Sequence, residues 1–108
     1  METFECETEK TGESVRIALI GELDLASAER LESELRDVAK AGPSELVINL
    51  RRLQFLDSNG LRVLSEANER AQEEGHALRV VRGPRAVQRV FEITGLAERF
   101  ELVDEEPA

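Results

Sequence analysis

The feature that most limits how this chain can fold is a change of rhythm in its middle. Leu46-Val47-Ile48-Asn49-Leu50 is almost wholly apolar, the pattern of a central strand covered on both faces. The stretch runs on through Arg51-Arg52-Leu53-Gln54-Phe55-Leu56 to Asp57-Ser58-Asn59-Gly60. There it passes into Leu61, Leu64, Ala67, Asn68 and Ala71, a helical stripe that ends near Gly75. A buried strand ending in an acid, a hydroxyl and a glycine at a helix start puts Ser58 within reach of a second protein. Backbone N–H groups and the positive end of the helix dipole suit such a place to a phosphate, so a serine phosphorylation switch is the leading expectation. The plain alternative is a cap: Asp57 or Ser58 accepts the unpaired N–H bonds of the helix, a contribution of about 1 kcal/mol.

The flanking sequence alternates in the same way. Phe4 to Glu9 and Val15 to Ile20, separated by a turn at Gly12 and bounded by Gly21, read as a hairpin. Ala28, Leu31, Leu35 and Val38 recur at helical spacing, with charged residues between them, until Gly42-Pro43 stops the helix. Ala77 to Val81 reads as a strand. Gly83-Pro84 then opens a third helix, with proline at its first position, carrying Val87, Val90, Phe91 and Thr94 up to Gly95. Leu96 and Phe100 are expected to pack back on the core, and Glu101-Leu102-Val103 to form a short edge strand. The order implies an α/β chain: one small domain over residues 1–103, a mixed β-sheet of four to five strands with helices packed on it. Residues 104–108 are expected to be an acidic, disordered tail.

Composition narrows the function. With 14 basic and 23 acidic residues among 108, the formal net charge of -9 repels nucleic acid and anionic membrane surfaces. No apolar run approaches the roughly 20 residues of a membrane span, and Met1-Glu2-Thr3-Phe4-Glu5 lacks the basic and apolar regions of a signal peptide, so a cytoplasmic location is expected. A lone Cys6 and a lone His76 remove most metal and acid–base constellations. Acidic neighbours Glu5 and Glu7 are expected to keep Cys6 an unreactive thiol. No Ser/His/Asp set, metal cluster or phosphate loop can be assembled, and neither enzyme activity nor a bound cofactor or metal is expected.

Gly21-Glu22-Leu23-Asp24-Leu25-Ala26-Ser27-Ala28, followed by the central strand and Phe55-Leu56-Asp57-Ser58-Asn59-Gly60-Leu61, resembles the STAS domain family, in particular bacterial anti-sigma factor antagonists. The resemblance covers nearly the whole chain. It implies a STAS-like fold in which Ser58 is phosphorylated by an anti-sigma factor that is also a serine kinase and binds the ATP. Unphosphorylated antagonist would bind that partner and free the sigma factor; phosphorylated antagonist would not, and a serine phosphatase would reset it. The implied partner surface comprises Glu22, Asp24, Ser27, Asp57, Asn59 and Gly60, with Arg62 and Glu66 on the exposed face of the second helix. Asn59 stands where the family has a small Ser or Thr, and Asn49, Arg51 and Arg52 make the approach strand more polar than the family pattern.

Two other readings compete. Asp57 as a phosphoacceptor would fit a response-regulator receiver, but the only lysines, Lys10 and Lys40, precede the site, and no acidic pair follows the first strand in register. A non-switching STAS subunit of a transporter or signalling scaffold would keep the fold and leave Ser58 a mere helix-start residue.

Overall fold

The computed structural model describes residues 3–107; Met1, Glu2 and Ala108, the extremities of the expected domain and tail, lie outside them. The hairpin forms as expected. Strand β1 (Phe4–Thr11) pairs antiparallel with β2 (Ser14–Leu23), and Gly12 turns between them at φ 63°. Strand β2 runs past Gly21 with a register shift between Gly21 and Glu22. Gly21 is at φ 95°, and a Cβ there would lie 2.0 Å from the Thr3 carbonyl oxygen, so only glycine lets the strand continue.

Helix α1 (Leu25–Lys40) buries Ala28, Leu31, Leu35 and Val38 and stops before Gly42 and the buried Pro43. Strand β3 (Glu45–Asn49) then pairs parallel with β2 on one side and with β5 (Ala77–Val81) on the other, which makes it central. Helix α2 (Ser58–Glu74) ends at Gly75 in the left-handed region. Helix α3 (Arg85–Ile93) begins with Pro84 as its N-cap rather than its first helical residue. Asn68, buried on α2, donates from Nδ2 to the Arg99 carbonyl at 2.9 Å and ties down the 3-10 turn Ala97–Arg99. Phe100 is buried, and the edge strand β6 (Glu101–Val103) pairs parallel with β5.

Among the described residues the sheet has six strands where four to five were expected, because the apolar stretch from Leu46 is two strands. Strand β4 (Leu53–Leu56) pairs with the far end of β2, so β3 and β4 lie end to end along one flank of it. Asn49 makes the jog between them: its Oδ1 accepts the Arg51 amide at 2.9 Å, the Leu53 amide reaches the Leu50 carbonyl, and the Gly21 amide takes the Arg52 carbonyl at 3.2 Å. Asn49 is thus the last residue of β3, and Arg51 and Arg52 make a turn rather than a polar approach strand.

One hydrophobic core joins the inward residues of the sheet, Ile17, Leu19, Ile48 and Val80 among them, to Leu31, Leu35, Leu61, Leu64, Val87 and Phe91 of the three helices. The opposite face of the sheet carries no helix among the described residues. Among the described residues no helix is long and apolar enough to cross a membrane.

Candidate functional site at the start of the second helix

The Ser58 end of the molecule is assembled from two strand ends and two helix starts. Leu23 of β2 pairs with Leu56 of β4, and the Asp57 amide donates to the Leu23 carbonyl at 3.2 Å, so the chain leaves both strands at the same level. Asp24 caps α1: its Oδ1 accepts the Ser27 amide at 3.1 Å, while Ser27 Oγ accepts the Asp24 amide at 2.9 Å and donates to the Glu22 carbonyl at 2.8 Å. Asp57 caps α2 in the same spirit. Its Oδ1 accepts the Asn59 and Gly60 amides at 2.9 and 3.0 Å. Ser58 is therefore the first helical residue and not the cap. It is exposed, and among the described residues no hydrogen bond holds its hydroxyl.

Gly60 sets how closely α2 approaches the strand ends. A Cβ there would meet Leu23 Cγ at 2.6 Å and Leu56 Cδ1 at 2.9 Å. Its role is packing that seats the helix start, and the buried Ser27 likewise gives its hydroxyl to the cap rather than to the surface. Glu22, Arg62 and Glu66 are exposed; Asp24, Asp57 and Asn59 are half-buried. Arg62 Nη1 pairs with Glu66 at 3.0 Å and lies 3.9 Å from Glu32 of α1, which links the outer faces of the two helices.

The cap changes the electrostatics expected of this site. The two amides that would have held a phosphate are occupied by a carboxylate, which already answers the positive helix end. A phosphate on Ser58 would stand beside Asp57, outward, with no free first-turn amide from Asn59 or Gly60 to receive it.

A shallow groove leads from Ser58 along α2, lined by Leu61, Arg62, Ser65, Glu66, Thr94 and Leu96. The end of α3 borders it, a part of the surface that the sequence reading missed. Ile93, next to Thr94 in the chain, is 71% exposed, and Leu25 at the start of α1 and Phe55 near the end of β4 are also exposed. An apolar residue outside the Val87–Phe91 stripe of α3 was the available signal.

Cys6, on β1, is half-buried and its thiol is pushed up to about 11, first by burial and then by Glu34, with Arg30 opposing. The rise comes from burial and from Glu34 of α1, not from its neighbours Glu5 and Glu7. Among the described residues no cluster of three His, Cys, Asp or Glu side chains is placed to hold a metal ion.

The Asp57 cap yields a direct test. Asp57→Ala is expected to lower stability by about 1 kcal/mol, whereas Asp57→Asn, an equally good cap, should stay near the parent in urea denaturation. Equal losses in both variants would show that charge, not capping, is what Asp57 supplies.

Comparison with known proteins gives a consistent picture. The family described as "Mlab, STAS domain" matches residues 6–104. Over 86 residues the chain is 33% identical to the anti-sigma-F factor antagonist RsfB of Mycobacterium tuberculosis, covering 80% of this chain and 70% of that one. The crystal structure of an anti-sigma factor antagonist from Mycobacterium paratuberculosis superposes with a TM-score of 0.82 at 27% identity, covering 94% of this chain and 86% of the other. The anti-sigma factor antagonist SpoIIAA in its unphosphorylated form gives a TM-score of 0.78 at 25% identity, with 95% and 88% covered.

Proposed function

The chain belongs to the STAS domain family, and from that premise we infer that it is an anti-sigma factor antagonist switched off by phosphorylation of Ser58. The observation that carries this reading is the exposed hydroxyl of Ser58 at the first position of α2, beside amides already taken by Asp57. Such a hydroxyl costs the fold nothing to offer and gains nothing from the fold when charged. It is a place where modification speaks to a partner. That relatives of this chain are anti-sigma factor antagonists, and that one of them is described in an unphosphorylated form, supports the same reading.

In this function the chain is a binding protein and not an enzyme. The kinase activity and its ATP belong to the anti-sigma factor, a serine phosphatase restores the hydroxyl, and the work is done in the cytoplasm without nucleic acid or membrane contact. The partner covers Glu22, Asp24, Asp57, Asn59, Arg62 and Glu66, with Ser27 and Gly60 holding the two helix starts in place. The α3 end at Ile93 and Thr94 extends that surface across the groove.

Incubation with ATP and the cognate anti-sigma kinase, followed by peptide mapping, is expected to place one phosphate on Ser58 and none on Ser14, Ser27, Ser33, Ser44 or Ser65. Phosphate elsewhere with Ser58 untouched would sink the switch. Stable binding with no phosphorylation at all would favour the scaffold role instead.

A further inference from the structure

The helix-free face of the sheet carries an unexpected arrangement. Arg16, Val47, Arg79 and Glu101 stand level across β2, β3, β5 and β6, and Ala18, Asn49, Val81 and Val103 form the next row. Val47 and Val81 have no exposed surface, although they lie outside the core cluster and no helix covers them. Residues 104–107 run beside them. Arg51 donates to the Asp104 carbonyl, Arg82 Nη1 pairs with the Asp104 carboxylate at 2.7 Å, Arg16 Nη1 lies 3.7 Å from Glu106, and Arg16 Nη2 donates to the Pro107 carbonyl. The segment expected to be a disordered tail thus reaches from β6 at the edge to Arg16 on β2, with three arginines of a strongly acidic chain turned to it.

The arginines divide into two groups. Arg79 is committed to Glu45 and Glu101 within the sheet, and Arg52 to Glu7 at 3.0 Å. Arg16, Arg51 and Arg82 take their partners from the tail. Arg16 Nε is buried without a hydrogen-bond partner among the described residues, so the track holds one donor more than the tail uses. A hollow beyond the tail is lined by Arg16, Asn49 and Arg52 together with Glu7, Glu9 and Glu106, and its two β1 glutamates, opposite Ala18 and Arg16, bound the arginine line on that side.

We propose that this face is a second docking surface, separate from the Ser58 site, for an extended acidic segment of a protein partner, and that residues 104–107 occupy it in cis. The charge pattern selects the occupant. Arginines from β2, from the turn after β3 and from the residue after β5 match a chain carrying carboxylates and free carbonyls, and the two valines supply an apolar floor. Exposed ion pairs of this kind are individually weak and screened by salt, so the intramolecular segment can leave when a competing segment binds. Being tethered, it competes at high effective concentration, which makes the surface closed by default.

The test is an NMR titration of the isotope-labelled full chain with a peptide of residues 103–108. Its comparison is the full chain carrying Asp104→Asn, Glu105→Gln and Glu106→Gln. In the neutralised chain the peptide is expected to shift the amides of Arg16, Val47, Arg51 and Arg82 saturably, at least about tenfold tighter than in the parent. Adding Arg16→Gln and Arg82→Gln should abolish those shifts, and the Ser58 amide should not move in any case. Equal binding to parent and neutralised chains, no shift at these amides, or self-association of the neutralised chain in place of peptide binding would each overturn the proposal. None of these outcomes bears on the anti-sigma reading.

Discussion

Ser58→Asp is expected to bind the anti-sigma factor at least about a hundredfold more weakly than the parent chain, and to melt within a few degrees of it. The two halves of that result have separate causes. In the free protein the new charge is exposed and screened, one residue from the Asp57 carboxylate. The helix dipole favours it by about 0.3–1 kcal/mol, but the Asn59 and Gly60 amides are already bound to Asp57, which leaves little of that attraction to collect. Arg62, four residues on, could turn to the charge only by leaving Glu66 and Glu32, one surface pair exchanged for another. The intramolecular sum is close to zero, so the fold does not change.

At the proposed interface the same charge would meet a surface that takes up a neutral hydroxyl. Unpaired or like charges there cost several kcal/mol, and each increment of about 1.4 kcal/mol is a tenfold loss. Ser58→Ala should bind without regard to kinase or ATP, since nothing in the fold depends on the hydroxyl. Isothermal titration against the anti-sigma factor, with thermal melts of the same samples, reads both halves. Tight binding by Ser58→Asp and by authentic phosphoprotein alike would remove the switch and leave the scaffold role.

The sequence carried the architecture in its changes of period. Each helix announced itself by an apolar stripe, and the stripes are the buried faces except at the end of α3, where Thr94 is the exposed C-cap. The local geometry of the candidate site was legible because Asp57, Ser58 and Gly60 each have a positional reason to be where they are: a cap, an outward first residue and a close contact with Leu23 and Leu56. The jog between β3 and β4 was not legible. Asn49 and two arginines in an otherwise apolar run look like substitutions on a strand, and only the tertiary pairing of Leu53–Leu56 with the far end of β2 shows that they turn the chain. The tail was hidden for a related reason. A short acidic run is ordinarily solvated, and the arginines that meet it come from residues 16, 51 and 82, far away in sequence.

Helix α3 separates stability from recognition within three residues. Phe91 is fully buried and sets its ring against Phe100, with centroids 5.1 Å apart and planes at 78°, an edge-to-face contact. Removing it empties the space between α3 and the sheet, where the surroundings can collapse only in part. Phe91→Ala is therefore expected to cost about 3–5 kcal/mol. In a domain of this size that lowers the melting temperature by about 20 °C, and much of the chain can unfold under assay conditions. Any loss of partner binding by this variant should track the unfolded fraction and recover on cooling. Ile93, two residues on and 71% exposed, is the counterpart. Ile93→Ala should leave stability within about 0.5 kcal/mol of the parent, as surface changes do. It should nonetheless weaken anti-sigma binding, because it strips an exposed apolar side chain next to Thr94, which lines the Ser58 groove. Thermal melts and binding titrations of the two variants make the comparison. A stable Phe91→Ala would mean that α3 is not part of the cooperative core, and full binding by Ile93→Ala would confine the partner to α2 and the Glu22–Ser27 loop.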